Sequence, residues 1–418
     1  MLVFGEIGLA TLIFMVLAFI LIAGIVLLLV RKPFGGATFV NSFFFGLNVY
    51  DRPPKEASLS SAPSKIGTVR RNLREGSSLP STLDLGRDLS LDFVKGLLVL
   101  GMIAYHAGVS FIADTHDRFL VLGWLLDFVS GSWVFLCGLI VTMHYSAKFE
   151  DDARNVSRRL WIRGMKMIVL FSVLNIFLML FGFRKVSHTF DLTTVMNVFV
   201  FGDGNLTSFE VLLGIGYVLL IAPWFLSFRK AGVAVSILVI AFEAYFVRMG
   251  YQLPGNLWIV ICGLAGMTVG ATVWPDFIKT IQSSLIRRSV TTGVLLLIVA
   301  AYYGISIGLD FNRYNMPVYL LGVISIIAIF YLSYDWVSSA LIVSSWLQLL
   351  GRYSLISYIF QMSLIRVALV IQSYLQVTFS YWLIFFIVLF MVSLTITVLD
   401  EEIRRNRALQ KSYKFIFG

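Results

Sequence analysis

Residues 380–399 read SYWLIFFIVLFMVSLTITVL and contain no charged side chain. At 1.5 Å per residue, a helix of this length spans the ~30 Å hydrocarbon core of a bilayer. In lipid, a backbone must satisfy its hydrogen bonds within a helix or a closed barrel, and barrel strands alternate polar and apolar residues. This stretch does not alternate, so it predicts a transmembrane helix.

Blocks of this kind recur along the whole chain of 418 residues, which is 58% hydrophobic and 13% charged. Soluble domains have about 45–50% apolar and about 25% charged residues. The sequence therefore predicts an all-α polytopic membrane helical bundle of about eleven transmembrane helices, one followed by ten. The predicted spans are 7–30, 91–111, 119–143, 167–183, 208–228, 232–247, 256–274, 289–308, 317–334, 354–373 and 380–399.

Four segments follow from the positions of these blocks. Residues 1–30 form an N-terminal transmembrane anchor, since the block is too long and too uniformly apolar for a signal peptide. Residues 31–86 form a cytoplasmic linker, and their Pro, Ser and basic residues indicate a largely disordered segment. Residues 87–400 form the ten-helix membrane domain, and 401–418 a basic cytoplasmic tail.

The basic residues predict the orientation of the chain. Of 33 Lys and Arg residues, 26 fall in segments on one side of the predicted spans and five on the other, while Lys95 and Arg366 lie inside spans. The positive-inside rule then predicts an outside N-terminus and a cytoplasmic C-terminus. The net charge of +10 is thus an orientation signal and not a sign of nucleic-acid binding. Two separated cysteines, Cys137 and Cys262, indicate neither a disulfide framework nor a metal site.

Ionisable residues inside the spans are functional candidates, because they are costly in a bilayer. Asp92, Lys95 and His106 share one face of the first predicted span of the domain, with His106 about 16 Å above Lys95. Two alternatives remain open. Lys95 is near a helix end, where a lysine can snorkel to the surface, and His106 is near the other end, where a histidine can be structural.

Further polar residues fall in the outer halves of other spans: Asp127, Glu210, Glu243 and Arg366. Such a distribution indicates a cavity open to the outer side. Asp127 follows the short loop after His106, so the sequence predicts that its carboxylate orients the imidazole. Arg366 has an alternative role as a structural partner of Glu243 or Asp127.

The segment around His106 resembles the opening of the transmembrane acyltransferase superfamily, which includes acyltransferase-3 and heparan-α-glucosaminide N-acetyltransferase-like proteins. Their pattern is a Leu-Asp-x-x-Arg-Gly run with a His eleven residues after the Arg. Here Leu91 and Asp92 precede Lys95, which replaces that Arg, and His106 has the expected spacing.

Three later segments are similar to the same superfamily: 127–138 (DFVSGSWVFLCG), 209–216 (FEVLLGIG) and 350–358 (LGRYSLISY). In the second segment, Leu213 replaces a family His. Together with the first motif, the resemblance covers most of residues 87–375.

The resemblance implies transfer of an acyl group, acetyl-like, from cytoplasmic acyl-CoA to an extracytoplasmic acceptor, a glycan hydroxyl or amine of the cell envelope. His106 would be the catalytic residue and Asp127 its partner. Acyl-CoA is a cosubstrate, and no bound cofactor or metal is expected. The acyl-CoA pathway would include Lys95, Asp92, Arg87, Arg158, Arg159 and Arg163, and acceptor binding Arg366, Glu210 and Glu243.

Two other classes of protein remain open. A transporter or flippase for a small or lipid-linked substrate also places charges between helices, but should show broken helices in paired halves. A noncatalytic membrane scaffold would not need His106. The expected location is a bacterial inner membrane, with lipid, acyl-CoA and a carbohydrate acceptor as partners. The oligomeric state, including a homo-oligomer, is open.

Overall fold

The computed structural model describes residues 88–112, 126–180, 192–202, 207–249, 257–282, 284–308 and 316–417. This part of the chain is helical throughout, without strands. In chain order the helices are α1 Leu89–Phe111, α2 Phe128–Leu180, α3 Leu192–Phe199, α4 Glu210–Ser227, α5 Arg229–Arg248, α6 Leu257–Ala271, α7 Trp274–Gln282, α8 Leu285–Gly308, α9 Met316–Val337, α10 Leu341–Arg352, α11 Ser354–Leu375, α12 Tyr381–Arg405 and α13 Arg407–Phe417.

Eight of the described helices are long and apolar enough to cross a membrane, and α6 with α7 forms a pair bent by 56° that adds a ninth if it is one span. The prediction of an all-α membrane protein is confirmed. Within the described residues, each of the ten spans predicted after residue 87 overlaps a helix or one arm of α2. The anchor 7–30, the linker 31–86 and Arg87 lie outside the described residues, so the count of eleven and the orientation stay predictions.

Helix α2 is a hairpin and not one straight rod. Its backbone leaves the helical conformation at Asp152 (φ −149°, ψ 68°), and the Asp152 carboxylate accepts a 3.2 Å hydrogen bond from the Asn155 N–H, as an N-cap does. The Arg163 guanidinium donates to the Tyr145 hydroxyl, although a straight helix would separate these residues by about 27 Å. The arms 128–151 and 153–180 therefore run antiparallel.

Helix α1 approaches α10 so closely that their backbones are in contact. Helix α10 is short and lies between two predicted spans, where no helix was predicted. A Cβ atom added to Gly351 would lie 2.7 Å from the carbonyl carbon of Asp92, and one added to Gly96 would lie 2.7 Å from that of Leu347. Only glycine permits such backbone contact between helices. At twelve residues, α10 is too short to span, which is why hydropathy did not reveal it.

The apolar core consists of two clusters of buried side chains. The larger one is formed mainly by both arms of α2 with α4, α6 and α9, and the smaller one by α1 with α10, α11 and α12. Trp133, on the first arm of α2, packs against both clusters. The two clusters therefore meet at the level of Trp133, close to the cavity described below.

The segment predicted as a basic cytoplasmic tail, 401–418, is helical in its described part. Helix α12 continues to Arg405, and α13 follows with Leu409 buried against the smaller cluster. The Tyr353 hydroxyl donates a 2.8 Å hydrogen bond to Asp400, and burial together with this bond raises the pKa of Tyr353. The ring of Tyr413 lies 5.2 Å from that of Tyr353. The tail is thus part of the folded domain.

Candidate active site

A cavity of about 390 Å³ lies between α1, the two arms of α2, α4 and α11. Its walls are mainly apolar, with Leu136, Ile140, Met167, Leu212 and Leu219 among them. Cationic side chains line one part of it, and the aromatic side chains of Trp133 and Tyr358 line another. The cavity is therefore suited to a ligand with an anionic portion and a largely apolar portion.

The cationic part contains Lys95, Arg163 and Lys166. Lys95 forms a 3.2 Å ion pair with Asp92, whose side chain is 2% exposed, and Arg163 donates to Tyr145 across the α2 hairpin. Three cations lie beside one paired carboxylate, so the lining carries a net positive charge. A positive, apolar-walled pocket attracts anions more strongly than an exposed patch does.

Arg158 and Arg159 do not share this position. Both side chains are exposed on the second arm of α2, and neither lines the cavity. Of the three arginines predicted for this arm, only Arg163 reaches the lumen. Helical spacing explains the difference, because the face of α2 that carries Arg163 points towards the first arm, where Tyr145 is located.

His106 lies beside the aromatic part of the cavity. The centroid of its ring is 6.5 Å from that of Tyr358 and 5.4 Å from that of Tyr105. The residue is half-buried, but its Nε2 atom is shielded and has no hydrogen-bond partner among the described residues. Arg366 is close enough for its charge to act on the imidazole. The ring is therefore held by aromatic packing, and Nε2 is not engaged by a structural hydrogen bond.

Hydrogen bonds from two helices hold Ser208, two residues before α4 begins. Ser208 exchanges two hydrogen bonds of 2.8 Å with the buried side-chain amide of Asn175, and Arg366 donates a 3.0 Å hydrogen bond to the Ser208 hydroxyl. The next residue, Phe209, is left-handed (φ 63°), a costly conformation for a bulky residue that persists only where its surroundings impose it. Its ring lies 5.9 Å from that of Tyr358.

Two further predicted outer-half residues act on this part of the site through their charges. Arg366 is close enough to act on His106, and Glu210, the first residue of α4, is close enough to act on Tyr358. Arg366 bonds to Ser208 and forms no ion pair with Glu243 or Asp127 among the described contacts. The structural pairing considered for Arg366 is therefore not formed.

Asp127 and Glu243 lie elsewhere. The backbone carbonyl of Asp127 accepts a 3.2 Å hydrogen bond from the Tyr319 hydroxyl, and the charges of both carboxylates act on Cys262. The expected orienting bond to His106 stays a prediction, and the described hydrogen bond of Asp127 shows that the start of α2 faces α9, even though a short loop connects it to α1.

Three lining residues were not among the predicted site residues: Lys166, Tyr145 and Trp133. Gln361, a polar residue within an apolar span, follows the lining residue Tyr358 by one turn of α11. Tyr358 was noted only as part of a motif. The sequence does show Gln361 as a polar residue in an otherwise apolar span, but it does not show which residues of other helices surround it.

Comparisons with known proteins give no match, whether the chain is compared with protein-family descriptions, with curated proteins or with solved structures. The resemblance to transmembrane acyltransferases therefore stays a prediction that rests on the motifs and on the site.

Proposed function

We propose that this integral membrane protein is an acyltransferase, which moves an acyl group from cytoplasmic acyl-CoA to a glycan acceptor on the opposite side of the membrane. The observation that carries the proposal is the cavity: it has cations along one part, apolar walls, and a Tyr358 ring that packs beside His106. With the predicted orientation, the end of α1 at Lys95 faces the cytoplasm.

The ligand that suits this lining is acyl-CoA. Its phosphates match Lys95, Arg163 and Lys166, because charge-assisted hydrogen bonds to phosphate are stronger than neutral ones. Lys95 and His106 are eleven residues apart, about 16 Å along α1. A flexible arm bound by its phosphates at the cationic part would therefore bring the thioester along the apolar wall towards His106.

His106 supplies the chemistry in this proposal. A neutral Nε2 accepts the proton of the acceptor hydroxyl or amine while that oxygen or nitrogen attacks the thioester carbonyl carbon. The carbon–sulfur bond then breaks, and the proton passes from the imidazolium to the departing thiolate of CoA. An Nε2 atom without a structural partner supports this role, since its lone pair is available.

The test is His106→Gln, with the protein in lipid nanodiscs for binding and in cells for transfer. We expect acyl label from acetyl-CoA to enter envelope glycans with the wild type and not with the variant, while the affinity for CoA changes less than twofold or so, because a general base contributes about 10²–10⁴ to rate and little to binding. Transfer that survives in His106→Gln would remove His106 from the mechanism.

The same experiment separates the other classes. A transporter would move its substrate without labelling any glycan, and a scaffold would bind no CoA. The bent pair α6–α7 is the feature closest to a broken transporter helix, and no second pair of this kind occurs among the described residues. Since transporter sites use broken helices in paired halves, the enzyme remains the better proposal.

A further inference from the structure

Gln361, on α11, is the most unusual polar residue of the site. It is 0% exposed, and neither its Nε2 nor its Oε1 atom has a hydrogen-bond partner among the described residues. Burying an amide without partners is costly, and buried polar groups in native proteins are nearly always hydrogen-bonded. A Gln kept for structure would have found partners, as Gln348 does with Tyr334 and Ser344.

The position of Gln361 links it to the site. It lies on the buried face of α11, one turn beyond Tyr358, which lines the cavity. Tyr358 packs against His106 from one side along α11, and the charge of Arg366 acts on His106 from the other. Gln361 lies between these two residues along α11 and, like Tyr358, is buried.

A second side chain, on the wall of the cavity, has the same property. The indole Nε1 of Trp133 is buried without a partner among the described residues, and Trp133 lines the cavity together with Tyr358. With Nε2 of His106, four buried polar atoms from three side chains lack such partners: Trp133 lines the cavity, the His106 ring packs on Tyr358, and Gln361 follows Tyr358 by one turn of α11. They are neutral, in contrast to the cations near Lys95.

The donors and acceptors among these atoms indicate which polar groups a bound ligand would carry. Trp133 offers one N–H donor, and Gln361 offers an NH₂ group and one carbonyl acceptor. Donors aimed into an apolar, water-poor space suit a carbonyl oxygen, and Oε1 suits an adjacent N–H or O–H. A phosphate would prefer the cationic part of the cavity, and an alkyl chain would leave all of these atoms unsatisfied.

We propose that Gln361 and Trp133 form a neutral subsite that binds the carbonyl oxygen of the acyl thioester beside His106. This inference rests on the proposed function. When the acceptor attacks, the carbonyl oxygen gains negative charge, and donors already in place stabilise it without reorganisation. The Oε1 atom accepts from the acceptor or from an amide N–H of the bound donor.

The test compares acetyl-CoA with CoA, which differ by the acyl carbonyl that the subsite would bind. In nanodiscs, the wild type should bind acetyl-CoA about tenfold more tightly than CoA, the effect of one good hydrogen bond in a buried site. Gln361→Leu and Trp133→Phe should lose that preference while keeping the affinity for CoA. Gln348→Leu, a change of the same kind on α10, should keep the preference.

Folding is checked independently, because Gln361→Leu removes two unpaired polar atoms and should unfold at the wild-type temperature or above it. A preserved preference for acetyl-CoA in both folded variants would overturn the subsite while leaving the proposed function intact. A wild type that binds neither CoA nor acetyl-CoA would overturn the proposed function and the subsite together.

Discussion

The backbone contact between α1 and α10 predicts that Gly351→Ala is strongly destabilising. The new Cβ would lie 2.7 Å from the carbonyl carbon of Asp92 and 2.9 Å from the amide nitrogen of Gly96, and the Asp92 carbonyl oxygen is nearer still. All of these atoms belong to the backbone, so no side-chain rotation can relieve the overlap. The helices themselves must separate.

The size of the effect follows from that geometry. Carbon atoms pack best at about 3.5–4.0 Å, so a contact of 2.7 Å requires a separation of at least about 0.8 Å. A gap of this size forfeits roughly a quarter to a half of each dispersion contact across the interface, which includes the buried Leu347 and Leu350. Overpacking of this kind costs about 1–3 kcal/mol.

The matched controls are Gly293→Ala and Gly304→Ala on α8, where an added Cβ meets no atom within 4 Å. These substitutions should be neutral or should stabilise by about 0.5–1 kcal/mol, since alanine is the better helix former. The expected difference between the two kinds of substitution is therefore about 1–4 kcal/mol in the free energy of unfolding.

The two cysteines provide the assay. Cys262 is buried and Cys137 half-buried, so a thiol-reactive dye in detergent should label the chain mainly on unfolding. We expect the midpoint of Gly351→Ala to fall by several degrees and those of the α8 variants to stay at or above the wild-type value. Equal midpoints for Gly351→Ala and Gly293→Ala would show that α1 and α10 do not touch as described.

Three further outcomes are expected. Arg163→Gln should weaken CoA binding about tenfold in low salt and less at high salt. Arg158→Gln, the same change at an exposed position, should leave the affinity for CoA unchanged. Equal effects of the two substitutions would mean that surface charge alone attracts the anion. Asn175→Ala should lower stability by about 2–4 kcal/mol, measured by thermal unfolding, because two buried hydrogen bonds to Ser208 are lost; an unchanged midpoint would contradict the role of this loop. Glu243→Gln should leave acyl transfer unchanged, because the Glu243 carboxylate lies near Cys262 and not near the His106 imidazole. A loss of transfer with normal CoA binding would show that Glu243 belongs to the acceptor site.

The helices were predictable from sequence because a transmembrane segment is a local property: its length and apolar content are sufficient. The helices that were not predicted are those that the length of an apolar stretch does not reveal. Helix α10 is half the length of a span, and α13 is amphipathic, so neither stands out in hydropathy. The reversal within α2 was predicted, since 119–143 and 167–183 were expected as two spans, but the helical continuation of both arms to Asp152 was not, because charged residues mark the segment only as lying outside the bilayer.

The site was predictable only in part, because spacing along one helix fixes a face but not what that face meets. Lys95 and His106 were predicted on a common side of α1; Lys95 lines the cavity, and the ring of His106 lies beside Tyr358, another lining residue. The pairing with Asp127 stays a prediction: the described hydrogen bond of Asp127 is made to Tyr319 on α9, since neighbours in the chain need not be neighbours in a bundle. Helix α1 makes its closest contact with α10, about 250 residues away, a relation that hydropathy does not encode.

The division between satisfied and unsatisfied polar groups is the strongest guide to function in this domain. Asn175, Ser208 and Arg366 bond to one another and hold the loop before α4, so their polarity is explained by structure. Gln361 is on the same helix as Arg366, is more deeply buried and bonds to nothing described. In a low-dielectric interior, an unpaired amide lowers the free energy of unfolding, and a leucine at the same position would lower it less. If the protein is the acyltransferase that we propose, a bound polar group satisfies this amide, and the carbonyl of an acyl thioester is the group that His106 would act upon.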